Sequence, residues 1–176
     1  MSLKELTKES HTAAEKTKFM KAVFARKLPD HLWADWTYQK AHFYKAIESR
    51  CKDAGLLKDL PGLERADLLL EDYNEMSGHV GYKEPRKVTQ EYVDYLNDLD
   101  PKLIIAHLYT WHMGDMSGGQ MIKKVIQAPH RNLEFKDTEL LKETIRSKLD
   151  DSYADEANRA FAWAIKLMNQ YESSLE

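Results

Sequence analysis

Asp115 lies in the stretch MGDMSGGQ, residues 113–120, which carries three of the chain's seven glycines: Gly114, Gly118 and Gly119. The flanking residues read as helix, where each interior glycine costs about 1 kcal/mol relative to alanine. Gly114 and Gly118 are four residues apart and share one helix face. With two Cβ atoms missing, that face is a shallow trough where a flat molecule can approach the backbone, and the Asp115 carboxylate stands at its edge. Close packing of a second helix is the other use of such a pair, and the stretch alone leaves both readings open. Gly119 lies beside the trough, and so many small residues make the helix easy to bend.

The second reactive group is His11, in ESHTAAE. Ala14 follows three residues later on the same face, and a large flat ligand held through a histidine needs a small neighbour of this kind. A structural histidine fits the same residues. Of the others, His31 begins a helix, His79 and His130 fall in expected loops, and His42 and His107 sit mid-helix as ordinary partly buried side chains. His112, three residues before Asp115, has spacing suited to a metal pair. A carboxylate-bridged di-iron bundle, however, requires Glu-x-x-His on two helices, and the sequence contains no such motif. The single cysteine, Cys51, lies near an expected helix end with no nucleophile motif around it, and reads as an inert thiol.

Helices must position these groups. Ser2 and Glu5 have capping-box spacing and open a helix expected over 3–26. Pro29-Asp30 opens a second, ending near Gly55. LPG at 60–62 precedes a third that stops before Gly78, and a short helix follows the loop GHVGYKEPRK. Asp100-Pro101 starts the glycine-bearing helix, with Asp as N-cap and Pro at the first helical position, running to about Gln127. Two segments, roughly 138–149 and 152–174, close the chain. No stretch alternates apolar and polar residues strictly. The expectation is an all-α, single-domain bundle of about seven or eight helices spanning 1–176, with ligands held between facing helices.

The totals agree. With 176 residues, 43% apolar and 31% charged, the chain is long enough for its own core and has the composition of a soluble protein. A net charge of −3 argues against a nucleic-acid binder. No signal core or apolar run of membrane-spanning length is present. A cytoplasmic protein, off the membrane and monomeric, is the simplest expectation.

The two reactive stretches together resemble the haem oxygenase (heme oxygenase) family. LKELTKESHTAAEKTKFM is similar to the family's proximal helix, whose K-E-x-H-T-x-A-E histidine ligates haem iron. YTWHMGDMSGGQMIKK is similar to its distal helix, built around G-D-x-S-G-G-Q. LLKETIRSKLDD and EANRAFAWAIKLMNQY resemble the last two helical segments, so the resemblance runs from residue 3 to about 172.

The resemblance implies haem between the proximal and distal helices, with His11 as axial ligand of the iron. It implies that Gly114, Gly118 and Gly119 let the distal helix lie close over the ring, and that Ala14 and Phe161 pack beside it. Asp115 would hold an ordered water next to bound O2. Lys4, Tyr109, Lys142 and Arg146 would anchor the propionates. Lys142 and Arg146, four apart on one helix face, suit a paired clamp. The implied reaction opens haem, both cofactor and substrate, at the α-meso carbon to biliverdin, carbon monoxide and ferrous iron. The missing apolar tail points to the bacterial, algal or phage type, with electrons from reduced ferredoxin and a downstream bilin reductase as a further partner. Residues 1–30 hold seven cations against four acids, a segment suited to an acidic donor.

Three positions depart from the family pattern. Trp111 replaces the usual arginine, His112 a common tyrosine, and Ala164 the usual asparagine. The hydrogen-bond network around Asp115 must therefore be rearranged, and His112 or Trp111 is the candidate replacement donor. A non-catalytic haem carrier or sensor is the alternative function. A thiaminase-like hydrolase on a similar bundle would need a nucleophile, for which Cys51 is the only cysteine.

Overall fold

The computed structural model describes residues 1–78 and 84–175. His79, expected in a loop, lies outside the described residues. The helices are α1 (Leu3–Leu6), α2 (Lys8–Glu15), α3 (Lys18–Phe24), α4 (Asp30–Asp53), α5 (Ala66–Ser77), α6 (Lys87–Asp98), α7 (Ile104–Leu108), α8 (Gly114–Ser117), α9 (Gly119–Val125), α10 (Thr138–Ser147) and α11 (Ala154–Asn169). Among the described residues no strand forms. Counting α1–α3 as one kinked rod and α7–α9 as another, the described residues form a bundle of seven rods.

The single helix expected over 3–26 is broken twice, each time at a threonine. Thr7 leaves helical geometry (φ −108°, ψ 2°), and its hydroxyl donates to the Leu3 carbonyl at 2.9 Å. Thr17 is extended (φ −61°, ψ 151°), and its Oγ1 accepts the Met20 N–H at 3.2 Å, capping α3. Threonine hydroxyls compete for backbone groups in this way, and hydrophobic periodicity does not register it. After the second break, α3 sends Phe19 and Val23 into the core, while α2 lies against α11.

α4 is the spine of the bundle, packed against α5, α6 and α7. Trp33, Trp36, Phe43, Tyr44 and Ile47 along it are buried, and each such side chain contributes roughly 1.5–3 kcal/mol on leaving water. It ends where expected, with Gly55 in the left-handed region (φ +73°) just beyond its last turn.

The glycine-bearing rod is not one smooth helix. The Asp100 side chain accepts the Lys102 N–H at 3.0 Å, and a 3₁₀ turn over Pro101–Leu103 leads into α7. A π-helical turn, Tyr109–Met113, then inserts wider hydrogen bonds before α8. At Gly118 the ladder tightens again, its carbonyl accepting from both Met121 N (3.0 Å) and Ile122 N (3.2 Å). No helix of the described residues is long and apolar enough to cross a membrane.

Candidate functional site

α2 and α11 form one wall of a cavity of about 450 Å³, and the glycine-bearing rod forms the other. That volume is within the range of small-molecule sites. His11 and Ala14 come from α2; Phe161, Ala164 and Met168 from α11; Trp36 and Lys40 from α4. Thr110, Trp111, Gly114, Asp115, Gly118 and Gly119 line the opposite side.

His11 stands open to this space, its side chain 59% exposed. Its Nδ1 lies 2.8 Å from Glu15 Oε1, one helical turn on. A carboxylate only accepts hydrogen bonds, so this contact puts the proton on Nδ1 and leaves the Nε2 lone pair for a ligand. Phe161 meets the imidazole edge-on, with ring centroids 5.7 Å apart at 79°.

Across the cavity, Asp115 is 7% exposed and held on both oxygens. Tyr44 donates its hydroxyl to Oδ2 at 2.6 Å, and Lys40 Nζ lies 3.3 Å from Oδ1. The Tyr44 phenol is pushed well above its ordinary pKa, first by burial and then by the Asp115 charge and hydrogen bond. Tyr44 therefore stays protonated and remains a donor.

The glycines divide into two kinds. A Cβ at Gly114 would meet nothing within 4 Å, and one at Gly118 only the Gly114 carbonyl at 3.5 Å. At Gly119 a Cβ would lie 3.0 Å from Leu133 Cδ2. Gly119 contributes backbone to the cavity, but its missing side chain serves packing against the 131–133 turn.

Trp111 and His112 do not supply the replacement donors expected for Asp115. Trp111 lines the cavity, but its Nε1 donates to Tyr92 OH at 2.9 Å. Tyr92 lies 2.7 Å from His107 Nδ1, and His107 Nε2 lies 2.8 Å from Glu156 Oε2. Burial pushes the Glu156 carboxyl up, but hydrogen bonds from His107, Tyr95 and Arg159 outweigh it and hold it down at about 2. His112 is fully buried behind the wall, 2.8 Å from Glu48, which also accepts the backbone N–H groups of Arg65 and Ala66. Consecutive helix residues point in different directions, so these two neighbours enter separate networks.

Lys4, Tyr109 and Arg146 converge on a second cavity of about 380 Å³, with Asp150 and Asp151 on its rim. Lys142 lines neither cavity, so the clamp expected from its pairing with Arg146 has only Arg146 in place. Cys51 is fully buried in α4 and lines neither cavity, and burial pushes its thiol up to about 12. Cys51 is therefore not placed to act as the nucleophile a thiaminase-like hydrolase would need.

A family model for heme oxygenase matches residues 1–145. The chain belongs to the haem oxygenase family. "Heme oxygenase 1" of the cyanobacterium Synechocystis is 29% identical to this chain, over 98% of it and 84% of the relative. "Heme oxygenase" of Guillardia theta is 30% identical over 88% of this chain and 68% of its own. The crystal structure of Synechocystis heme oxygenase-1 in complex with heme superposes with a TM-score of 0.86 at 27% identity, covering 98% of this chain and 91% of that one.

The cavity fits the ligand that the family name carries. A flat macrocycle requires a wall without side chains, which Gly114 and Gly118 provide. It also requires an oriented imidazole, which Glu15 provides, and apolar flanks, provided by Phe161, Ala164 and Met168. What the sequence reading missed is the contribution of α4. Trp36, Lys40, Tyr44 and Glu48 recur every four residues along α4, and all four are buried. Their i, i+4 spacing, which sets them on one helix face, was the available signal.

Proposed function

We propose that this chain opens haem at the α-meso carbon to biliverdin, carbon monoxide and ferrous iron, using O2 and electrons from reduced ferredoxin. One observation carries the reading: an oriented imidazole, His11, and a doubly held carboxylate, Asp115, face one cavity whose wall is stripped of side chains at Gly114 and Gly118. When bound, haem supplies both the iron that activates O2 and the ring that is oxidised.

His11 binds through Nε2, and Glu15 keeps it in the tautomer and orientation that this needs. Asp115 is fixed by Tyr44 and orients water at the cavity edge, where a hydrogen bond to oxygen is required. Trp36, Trp111, Phe161 and Met168 exclude bulk solvent. Lys4, Tyr109 and Arg146 hold ligand carboxylates, so they set the in-plane orientation and with it the carbon exposed to attack. The exposed lysines Lys8, Lys16 and Lys21 offer an acidic electron donor a docking face close to His11. The bilin product then passes to a reductase.

The test is haemin titration of the protein, His11→Ala and Asp115→Ala, followed by absorption spectroscopy and turnover. His11→Ala is expected to lose the imidazole-ligated spectrum. Asp115→Ala is expected to retain it while losing most productive turnover. An unchanged spectrum in His11→Ala would overturn the assignment.

A further inference from the structure

Lys40 is a lysine inside a protein wall. Its side chain is 9% exposed, and lysine is almost never buried without a partner. Its one hydrogen-bond partner among the described residues is Asp115 Oδ1, at 3.3 Å, and the ammonium also stands 5.0 Å from the Tyr44 ring centroid. An ammonium has three N–H donors, so two are left over. Lys40 lines the cavity, and among the described residues no acceptor takes those two donors.

A purely structural counter-ion does not explain this placement. Tyr44 already satisfies the other carboxylate oxygen at 2.6 Å, and Lys40 and Tyr44 project from the same face of α4, one turn apart. The buried charges near them balance as two cations, Lys40 and Arg65, against Asp115 and Glu48. Of the two cations, however, only Lys40 reaches the cavity; Arg65 is spent on the carbonyls of Leu63, Glu64 and Glu134. A charge taken out of water at such cost, with donors still unpaired, has to be compensated by what fills the cavity.

We propose that Lys40 is the positioning cation of the haem cavity. One N–H holds Asp115, and the others donate directly to small polar ligands bound beside it. This rests on the haem oxygenase reading above. The Trp111 wall carries no charge here, and a cation reaches Asp115 from a different helix.

Carbon monoxide on the reduced haem complex is the probe, because its infrared stretch falls when a positive charge or donor lies near its oxygen. Lys40→Met and Lys40→Gln are expected to raise the C–O stretch by a resolved amount, and Lys40→Arg to return most of it. Helical circular dichroism and a normal Soret band verify folding and loading, and the two neutral variants guard against one failing to fold. Lys40→Met is also made in the Asp115→Asn background, where an indirect effect through Asp115 is absent. An upward shift in both backgrounds supports direct donation. An unchanged stretch in the Asp115→Asn background, or in both neutral variants, overturns it while leaving haem binding intact. Failure of the unmutated protein to bind haemin would instead overturn the functional reading, and this inference with it.

Discussion

Tyr44 and Asp115 stand 71 residues apart in sequence and 2.6 Å apart in space, the phenol donating from behind the cavity wall to the carboxylate that lines it. Without Tyr44, Asp115 Oδ2 loses its donor; without Asp115, the Tyr44 hydroxyl loses its acceptor. Tyr44→Phe is expected to cost about 1–3 kcal/mol of stability, the penalty of an orphaned buried polar group. Urea denaturation measures that cost. Haem binding should survive, because Tyr44 lines no part of the cavity. Turnover should fall, because Asp115 loses its orientation.

Glu15→Ala frees the His11 ring from the 2.8 Å contact that fixes its tautomer. Affinity for haemin is expected to drop by roughly ten- to a hundredfold, the usual cost of losing a ligand's supporting carboxylate. Glu15→Gln, which can still accept the Nδ1 proton, should retain more affinity. Equilibrium titration of the Soret band distinguishes them, and equal affinity in all three proteins would show that Glu15 does not orient His11.

The glycines should respond in opposite ways. Gly114→Ala places its methyl in open space, so apoprotein stability is expected to rise by up to about 1 kcal/mol. The same methyl occupies the wall where the ring must lie, and haem affinity should fall. Gly119→Ala meets Leu133 Cδ2 at 3.0 Å. Overpacking there should destabilise by about 1 kcal/mol, because a leucine terminus can shift partway. Thermal unfolding with and without haemin separates the two effects.

Acid sensitivity should trace to Glu156. Its carboxyl is held at about 2 in the fold against 4.5 ordinarily, so the native state binds fewer protons than the unfolded state across that interval. The stabilisation is fully present above about pH 4.5 and is lost as pH falls through about 2. Glu156→Gln removes this contribution, so its stability deficit relative to the unmutated protein should shrink as the pH is lowered through that window. A deficit independent of pH would assign the loss to packing alone.

Much of this was legible in the sequence. The helical punctuation at Ser2, Pro29, Gly55 and Asp100 marks real boundaries, and the pairing of His11 with the Gly114–Gly118 face gives the two walls of the cavity. Three things were not legible, each for a physical reason. Thr7 and Thr17 break α1–α3 through side-chain hydrogen bonds that periodicity does not detect. The π turn at Tyr109–Met113 shifts which side chains of this rod face the cavity, and hydrophobic periodicity does not announce it. Lys40 reaches Asp115 from a helix 75 residues earlier, a relation that only the fold creates.

Oxidation of haem within this cavity is the reaction proposed for the chain. The most direct measurement is the absorption spectrum of the haemin complex followed in air with ferredoxin, its reductase and NADPH. Decay of the Soret band with growth of a red-absorbing bilin, and of ferrous iron trapped by a chelator, is the result expected. A Soret band that persists through repeated reduction, with no bilin formed, would contradict it.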